Sequence, residues 1–271
     1  MEFTLITGDH IRHLYLADYL CRKGYKINWI IEKRENQVPS ANKNLTKDLK
    51  ILFKKHFLRR EIAEKKFFGK NSGQLAKKKI KNKFIIKPFN YNQNTLKILE
   101  NFKNKNLLTY GCSILNDDIL KLFKGYKWNI HAGLSPKYRG AATHFWPSFF
   151  LEPEYTGMTL HTLSSRIDGG NIFHQTSIKL NKNYGIHDNS CQAVKEFIFD
   201  LPKVINFVSK SHKKILGIKQ RNKGILWTQK MWKTSTLNFI YDVHKDKINQ
   251  YCIRNKIIKK PKLLSILNTS I

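Results

Sequence analysis

The chain opens with a short β-rich apolar run, Phe3-Thr4-Leu5-Ile6-Thr7, that stops at Gly8-Asp9. Ile11, Leu14, Ala17, Leu20 and Cys21 then recur at helical spacing up to Gly24, and Ile27 to Ile31 reads as a second buried strand. Strand, turn, helix and strand in close succession are the opening of a parallel βαβ unit.

Residues from about Ser40 to Lys83 read as an inserted helical segment with a Lys-rich exposed face, marked by Phe53, Phe57, Ile62, Phe67 and Phe68. Phe84-Ile85-Ile86 resumes as a strand, residues 92–104 as a helix and Asn106 to Tyr110 as a further strand, after which Gly111 turns the chain. A short helix over 116–124, a strand from Trp128 to His131, a loop to Gly140 and an apolar helix to Leu151 follow. Strands around Thr156–Leu163 and Asn171–Leu180 flank a polar hairpin-like loop. A helix from about Asp188 to Lys210 closes the large domain, and Pro202 marks a boundary near Leu201. The Lys-rich region 211–271 carries Trp227, Trp232, Phe239, Tyr241 and Tyr251, enough aromatic mass for a small subdomain.

Composition narrows the class. With 41% hydrophobic and 12% aromatic residues the chain can bury a core, and disorder is excluded. No run approaches the roughly 18 apolar residues that span a bilayer, and Gly8-Asp9-His10 comes too early for a signal peptide. Cys21, Cys112, Cys191 and Cys252 are scattered, without the paired spacing of a disulfide framework or a structural zinc site. A cytoplasmic setting and no metal are therefore expected.

Lys+Arg 50 against Asp+Glu 19 gives a net charge of +31. Lys43 to Lys87 holds 16 basic and 3 acidic residues, and Leu201 to the end 16 and 2. Between Ala141 and Ile178 the only basic residue is Arg166, so the excess flanks a nearly neutral middle. Lys supplies 41 of the 50, whereas a dedicated phosphate reader favours Arg.

The chemistry concentrates in that middle. In Asn129-Ile130-His131-Ala132-Gly133-Leu134-Ser135-Pro136-Lys137-Tyr138-Arg139-Gly140, the period of two puts Asn129 and His131 on one face at the C-terminal end of a strand. Ligands of open α/β sheets bind at that end. Further on, His161-Thr162-Leu163-Ser164-Ser165-Arg166-Ile167-Asp168-Gly169-Gly170 offers a carboxylate in a tight turn. A carboxylate beside an imidazole holds its tautomer and raises its pKa.

These two motifs, with Gly157-Met158-Thr159-Leu160-His161 leading into the second, resemble the folate-dependent formyltransferase family. The resemblance covers about residues 106–180. It implies an α/β fold with a Rossmann-like, open, mostly parallel twisted sheet and flanking helices. The catalytic domain would occupy 1–200, with the insertion at about 40–83, and a small basic subdomain 201–271. It also implies a formyl group carried from 10-formyltetrahydrofolate to a primary amine, with Asn129, His131 and Asp168 as catalytic residues. Asn129 and a protonated His131 would donate to the formyl oxygen, and Asp168 would orient His131. The pterin would lie on backbone of Gly111, Cys112, Ser113, Ile114 and Leu115 and of Leu163, Ser164, Ser165 and Ile167.

The sequence departs from the family at Gly133, where Ser is common, at the non-acidic Ser164-Ser165-Arg166, and in the first loop, which lacks a Gly-Ser-rich phosphate cradle. Arg12 and His13 at the first helix start, and Tyr138-Arg139-Gly140, are candidate substrate contacts. His161 reads as structural or catalytic, and His144 and His174 as wall or surface residues. A sugar or sugar-nucleotide amine suits the short tail. A methionyl-tRNA formyltransferase-like enzyme using its basic surface, and a non-catalytic nucleic-acid-binding protein, are the alternatives. An anionic membrane surface is a further candidate partner.

Overall fold

The computed structural model describes residues 1–33 and 41–268; Ser40, where the inserted segment was expected to begin, lies outside them. β1 (Glu2–Gly8) is buried along its whole length from Phe3. A strand buried on both faces belongs inside a parallel sheet. β1 accordingly runs between β2 (Lys26–Glu32) and β4 (Asn106–Tyr110), parallel to both. With β3 (Lys83–Ile86), β5 (Lys127–His131), β7 (Gly157–Thr162) and β8 (Ile172–Ser177), the sheet order is β3-β2-β1-β4-β5-β7-β8. The first five strands are mutually parallel, and β7 runs antiparallel to both of its neighbours, β5 and β8. This is the α/β, Rossmann-like, mostly parallel architecture expected from the sequence.

The helices are α1 (Ile11–Arg22), α2 (Lys47–Phe68), α3 (Gln74–Lys79), α4 (Gln93–Asn101), α5 (Asp117–Leu122), α6 (Trp146–Phe149), α7 (Ile186–Lys210) and α8 (Ile248–Arg254). Side chains of Thr46, Asn92 and Asn116 cap α2, α4 and α5 by accepting from Leu49, Thr95 and Ile119 N–H. The inserted segment is thus two helices. Asp18 of α1 docks the second, accepting from Gly73 N–H at 2.7 Å and Ala76 N–H at 2.8 Å. Phe53, Phe57 and Phe68 are buried, but Ile62 faces solvent.

Other elements differ from expectation. The helix over 92–104 stops at Asn101, and Lys103 takes φ +56°. The apolar helix before Leu151 is a single turn, because Ala142 and Leu151 both adopt left-handed backbone. The loop to Gly140 contains β6 (Tyr138–Gly140), paired in parallel with β9 (Ile225–Trp227). α7 begins at Ile186 and continues through Pro202 to Lys210, so residue 201 falls inside a helix.

The main core lies where α1 and α7 cover the sheet, around Leu16, Leu20, Trp29, Trp128, Phe173 and Phe197. A second core joins Tyr138, Trp146, Trp227, Leu237 and Tyr241, fastening the C-terminal region onto the loop after β5 and onto Leu52 of α2. Among the described residues no helix is long and apolar enough to cross a membrane.

Candidate active site

Strand order reverses between β1 and β4, and a crevice opens at the C-terminal ends of the strands there. It is a cleft of about 1300 Å³. Register explains the residues at its centre. Thr109 on β4 lies beside Asn129 on β5, which lies beside His161 on β7. The Thr109 hydroxyl donates to Asn129 Oδ1 at 2.8 Å, which turns the amide nitrogen toward His161 Nε2 at 3.2 Å and Asp168 Oδ1 at 3.3 Å. Two residues on, His131 shares this face.

Asp168 arrives from the β7–β8 connection with φ +47°, in the left-handed region that Asp tolerates better than most residues. Its carboxylate accepts the Gly140 N–H at 2.9 Å and lies 3.3 Å from both His131 Nδ1 and His161 Nε2. Ser135 and Gln220 side chains bind its carbonyl at 3.1 and 3.0 Å. The turn depends on Gly170, where a Cβ would sit 1.8 Å from the Thr162 carbonyl. Burial raises the Asp168 pKa, but the two histidines and the Gly140 N–H outweigh it and hold the carboxylate below its usual range.

His131 is buried, and burial pushes its pKa down against the opposing pull of Asp168 and the Tyr138 carbonyl. That carbonyl lies 2.8 Å from Nε2. Both ring nitrogens therefore face oxygen. A Cβ at position 133 would lie 2.6 Å from both His131 Nε2 and the Tyr138 carbonyl, so the glycine leaves room for this contact and a Ser has none.

Gly111 to Leu115 and Leu163 to Ile167 all line the cleft on one side of Asn129. Ile114 and Ile167 present exposed apolar side chains there. Arg12 and His13 also line it, Arg12 paired with the buried Glu64 of α2. His13 packs edge-on to Tyr110, ring centroids 4.4 Å apart, and fills the space behind Gly111.

Tyr138 and Arg139, expected as ligand contacts, are used within the fold. The Tyr138 hydroxyl donates to Glu152 at 3.0 Å, and the Arg139 guanidinium donates to the carbonyls of Ile167, at 2.9 Å, and Lys223. Neither lines the cleft, whereas Gly140 does. His144 is a wall residue whose Nε2 lies 2.9 Å from the Gly157 carbonyl, and burial drops its pKa to about 4. His174 is buried outside the cleft.

Three contributions had not been foreseen. Thr109 was accessible only through strand register. Arg60 and Glu64 emerge from the inner face of α2 and line the cleft with Phe53, Phe57 and Trp232. The helical periodicity of the insertion was the available signal for them. Among the described residues no group of His, Cys, Asp and Glu is arranged to hold a metal ion.

An amide donor, an imidazole and a carboxylate converging on one cleft are the parts of an acyl-transfer centre. Residues 71–195 match the family described as formyl transferase, and they include Asn129, His131 and Asp168. The match supports the resemblance to folate-dependent formyltransferases drawn from the sequence. It is 33% identical over 147 residues to the bifunctional polymyxin resistance protein ArnA of Wigglesworthia glossinidia brevipalpis. That match spans 53% of this chain and 21% of ArnA.

Among solved structures, the fold is similar to a sugar N-formyltransferase from Shewanella sp FDAARGOS_354, with TM-score 0.51, 13% identity and coverage of 85% of this chain and 78% of that one. It is also similar to phosphoribosylglycinamide formyltransferase from Anaplasma phagocytophilum, with TM-score 0.54, 16% identity and coverage of 84% and 98%. A third is WlaRD, a sugar 3N-formyl transferase solved in the presence of dTDP and 5-N-formyl-THF, with TM-score 0.51, 18% identity and coverage of 86% and 71%.

Proposed function

We propose that this protein transfers a formyl group from 10-formyltetrahydrofolate to a primary amine on an amino sugar or sugar nucleotide. The observation that carries the reading is the convergence of Asn129, His131 and Asp168 within 3.3 Å contacts at the switch-point cleft. The donor's planar heterocycle fits the side bounded by 111–115 and 163–167, where backbone and the exposed Ile114 and Ile167 face the cleft. The donor supplies a formyl carbon; as an amine adds to it, charge develops on the formyl oxygen and the amine nitrogen gives up a proton.

Asn129 is the half-exposed donor of the set, and its amide N–H answers that oxygen. Asp168 stays ionised and fixes Nδ1 of His131. With the ligand in place of the Tyr138 carbonyl, Nε2 takes the amine proton and passes it to the donor nitrogen as the bond from that nitrogen to the formyl carbon breaks. Because Nε2 of His131 lies on the Tyr138 carbonyl, this reading gives the formyl oxygen to Asn129, where His131 was expected to donate as well.

The far side of the cleft supports a small anionic acceptor. Arg12 and Arg60 lie around the one carboxylate of Glu64, and Lys230 and Lys233 stand on the rim. Phe53, Phe57, Phe145 and Trp232 add flat apolar wall for a sugar or base. The presence of dTDP and 5-N-formyl-THF with WlaRD supports the same pairing of ligands.

A transfer assay with 10-formyltetrahydrofolate against amino-sugar nucleotides, initiator tRNA and small amines tests the reading. Turnover with an amino-sugar nucleotide is expected; formylation of tRNA with no turnover on any amino sugar overturns the acceptor assignment. Arg60→Gln is expected to raise acceptor KM about tenfold, a loss of ~1.4 kcal/mol, with donor KM unchanged.

A further inference from the structure

β2 ends on Glu32, a carboxylate that is completely buried and has no part in the chemistry above. A buried charge persists only where donors answer it. Oε2 of Glu32 accepts the Ser113 backbone N–H at 2.8 Å and the Ser113 hydroxyl at 2.9 Å, and the Tyr91 hydroxyl donates to Oε1. One side chain thereby ties the end of β2 to the segment after β3 and to the turn after β4.

The network extends one residue further. The Ser113 hydroxyl, while donating to Glu32, accepts the Phe89 N–H at 3.2 Å. Phe89 has φ +62° and a ring that is 75% exposed. A bulky residue in the left-handed region is strained, and an exposed ring gains nothing from burial; both persist because surrounding structure imposes them. Ile114, next to Ser113, is also 75% exposed. Ile114 lines the cleft, and Phe89, outside that lining, is tethered through its N–H to Ser113 of the same turn.

Resting on the donor reading above, we propose that Glu32 is a positioning residue for the formyl donor. Through Ser113 it fixes the 111–115 turn against which the heterocycle lies. Through the same hydroxyl it presents Phe89, beside Ile114, as an apolar flank for the donor's aryl ring. Phe89 is the contact and Glu32 acts only through Ser113. The carboxylate is needed for its acceptor geometry, so an amide in its place keeps most of the function: the Gln oxygen accepts from Ser113 and its NH2 group donates to the Tyr91 hydroxyl.

The test is equilibrium binding of 5-formyltetrahydrofolate, read by tryptophan fluorescence, alongside KM for the acceptor and Tm. Ser113→Ala is expected to weaken binding about tenfold and Phe89→Ala about threefold, with acceptor KM unchanged. Glu32→Ala is expected to weaken it by more than tenfold, and Glu32→Gln to restore it to within about threefold of wild type. If Glu32→Ala does not fold, Ser113→Ala and Phe89→Ala carry the test. Wild-type binding matched by every variant, with Tm alone reduced, makes the network structural and overturns the proposal. A wild-type protein that does not bind the analogue overturns the donor reading itself, and this proposal with it.

Discussion

Two of the histidine–carboxylate pairs among the described residues are similar in composition and differ in setting. His131 Nδ1 lies 3.3 Å from Asp168, and His174 Nε2 lies 3.5 Å from Asp200. The second pair even has a serine, with Ser265 Oγ 2.8 Å from His174 Nδ1, so that Ser, His and Asp stand in sequence as in a nucleophilic triad. Yet Asp168 is 11% exposed and held by several donors on a cleft, whereas Asp200 is 31% exposed and shared with Lys203 on the surface of α7. Ser265 is buried where the C-terminal segment bridges to β8, and its hydroxyl also accepts the Leu267 N–H. Three residue types in the right order make a fastening when no space opens onto them, and a reaction centre when a cleft does.

The largest effect expected from this contrast is on turnover. His131→Ala and Asp168→Ala should each lower kcat by at least roughly 10²–10³, while Asp200→Asn and Ser265→Ala stay within about twofold of wild type. Equal losses at the two sites, in a transfer assay on folded protein, break the distinction. The reverse ranking is expected in unfolding. Ser265→Ala leaves a buried imidazole nitrogen without its partner and should cost about 1–2 kcal/mol in urea melts, with kcat preserved.

The smallest effect is in pH dependence, where the pairs should agree. Both His131 and His174 have pKa values pushed down, primarily by burial. The same cause takes His56 to about 3 and His144 to about 4. Folded-state values below the ordinary 6.5 mean that the unfolded chain binds protons first as pH falls. Stability from these groups is therefore complete above about pH 6.5 and is lost progressively toward pH 4 and then 3. Urea midpoints across pH 5–8 should fall on the acid side, and His56→Gln should flatten that slope. Removing Asp200, which raises the His174 value, should move its NMR titration further below 6.5.

The sequence made some of this legible and concealed the rest for physical reasons. Continuous apolar runs located β1, β2 and β4, and the period of two put Asn129 and His131 on one face before any coordinates. Asp168 stood out as a carboxylate in an Asp-Gly-Gly turn, and the family resemblance paired it with His131, because no local pattern says which neighbour a turn residue will meet. Thr109, and the contact of His161 with Asn129, needed register across three strands, which spacing along one strand does not carry. The partner of His131 Nε2 is a backbone carbonyl, invisible to a reading of side chains. Arg139 suited either a ligand clamp or a brace for its loop, and two carbonyls claim its guanidinium as a brace. The insertion appeared as a charged exterior, and its inner face supplied Arg60, Glu64 and an aromatic wall.

β6 has only three residues, but it bears both the carbonyl against His131 and the N–H on Asp168. Its ladder partner is β9, drawn from the C-terminal region. The tail is thereby a tuning peg for the His131–Asp168 pair: pulling β9 away would leave both side chains chemically intact and out of pitch. Genetic lesions downstream of residue 211 should therefore mimic active-site lesions, and a shortened relative can keep every catalytic side chain and still be silent.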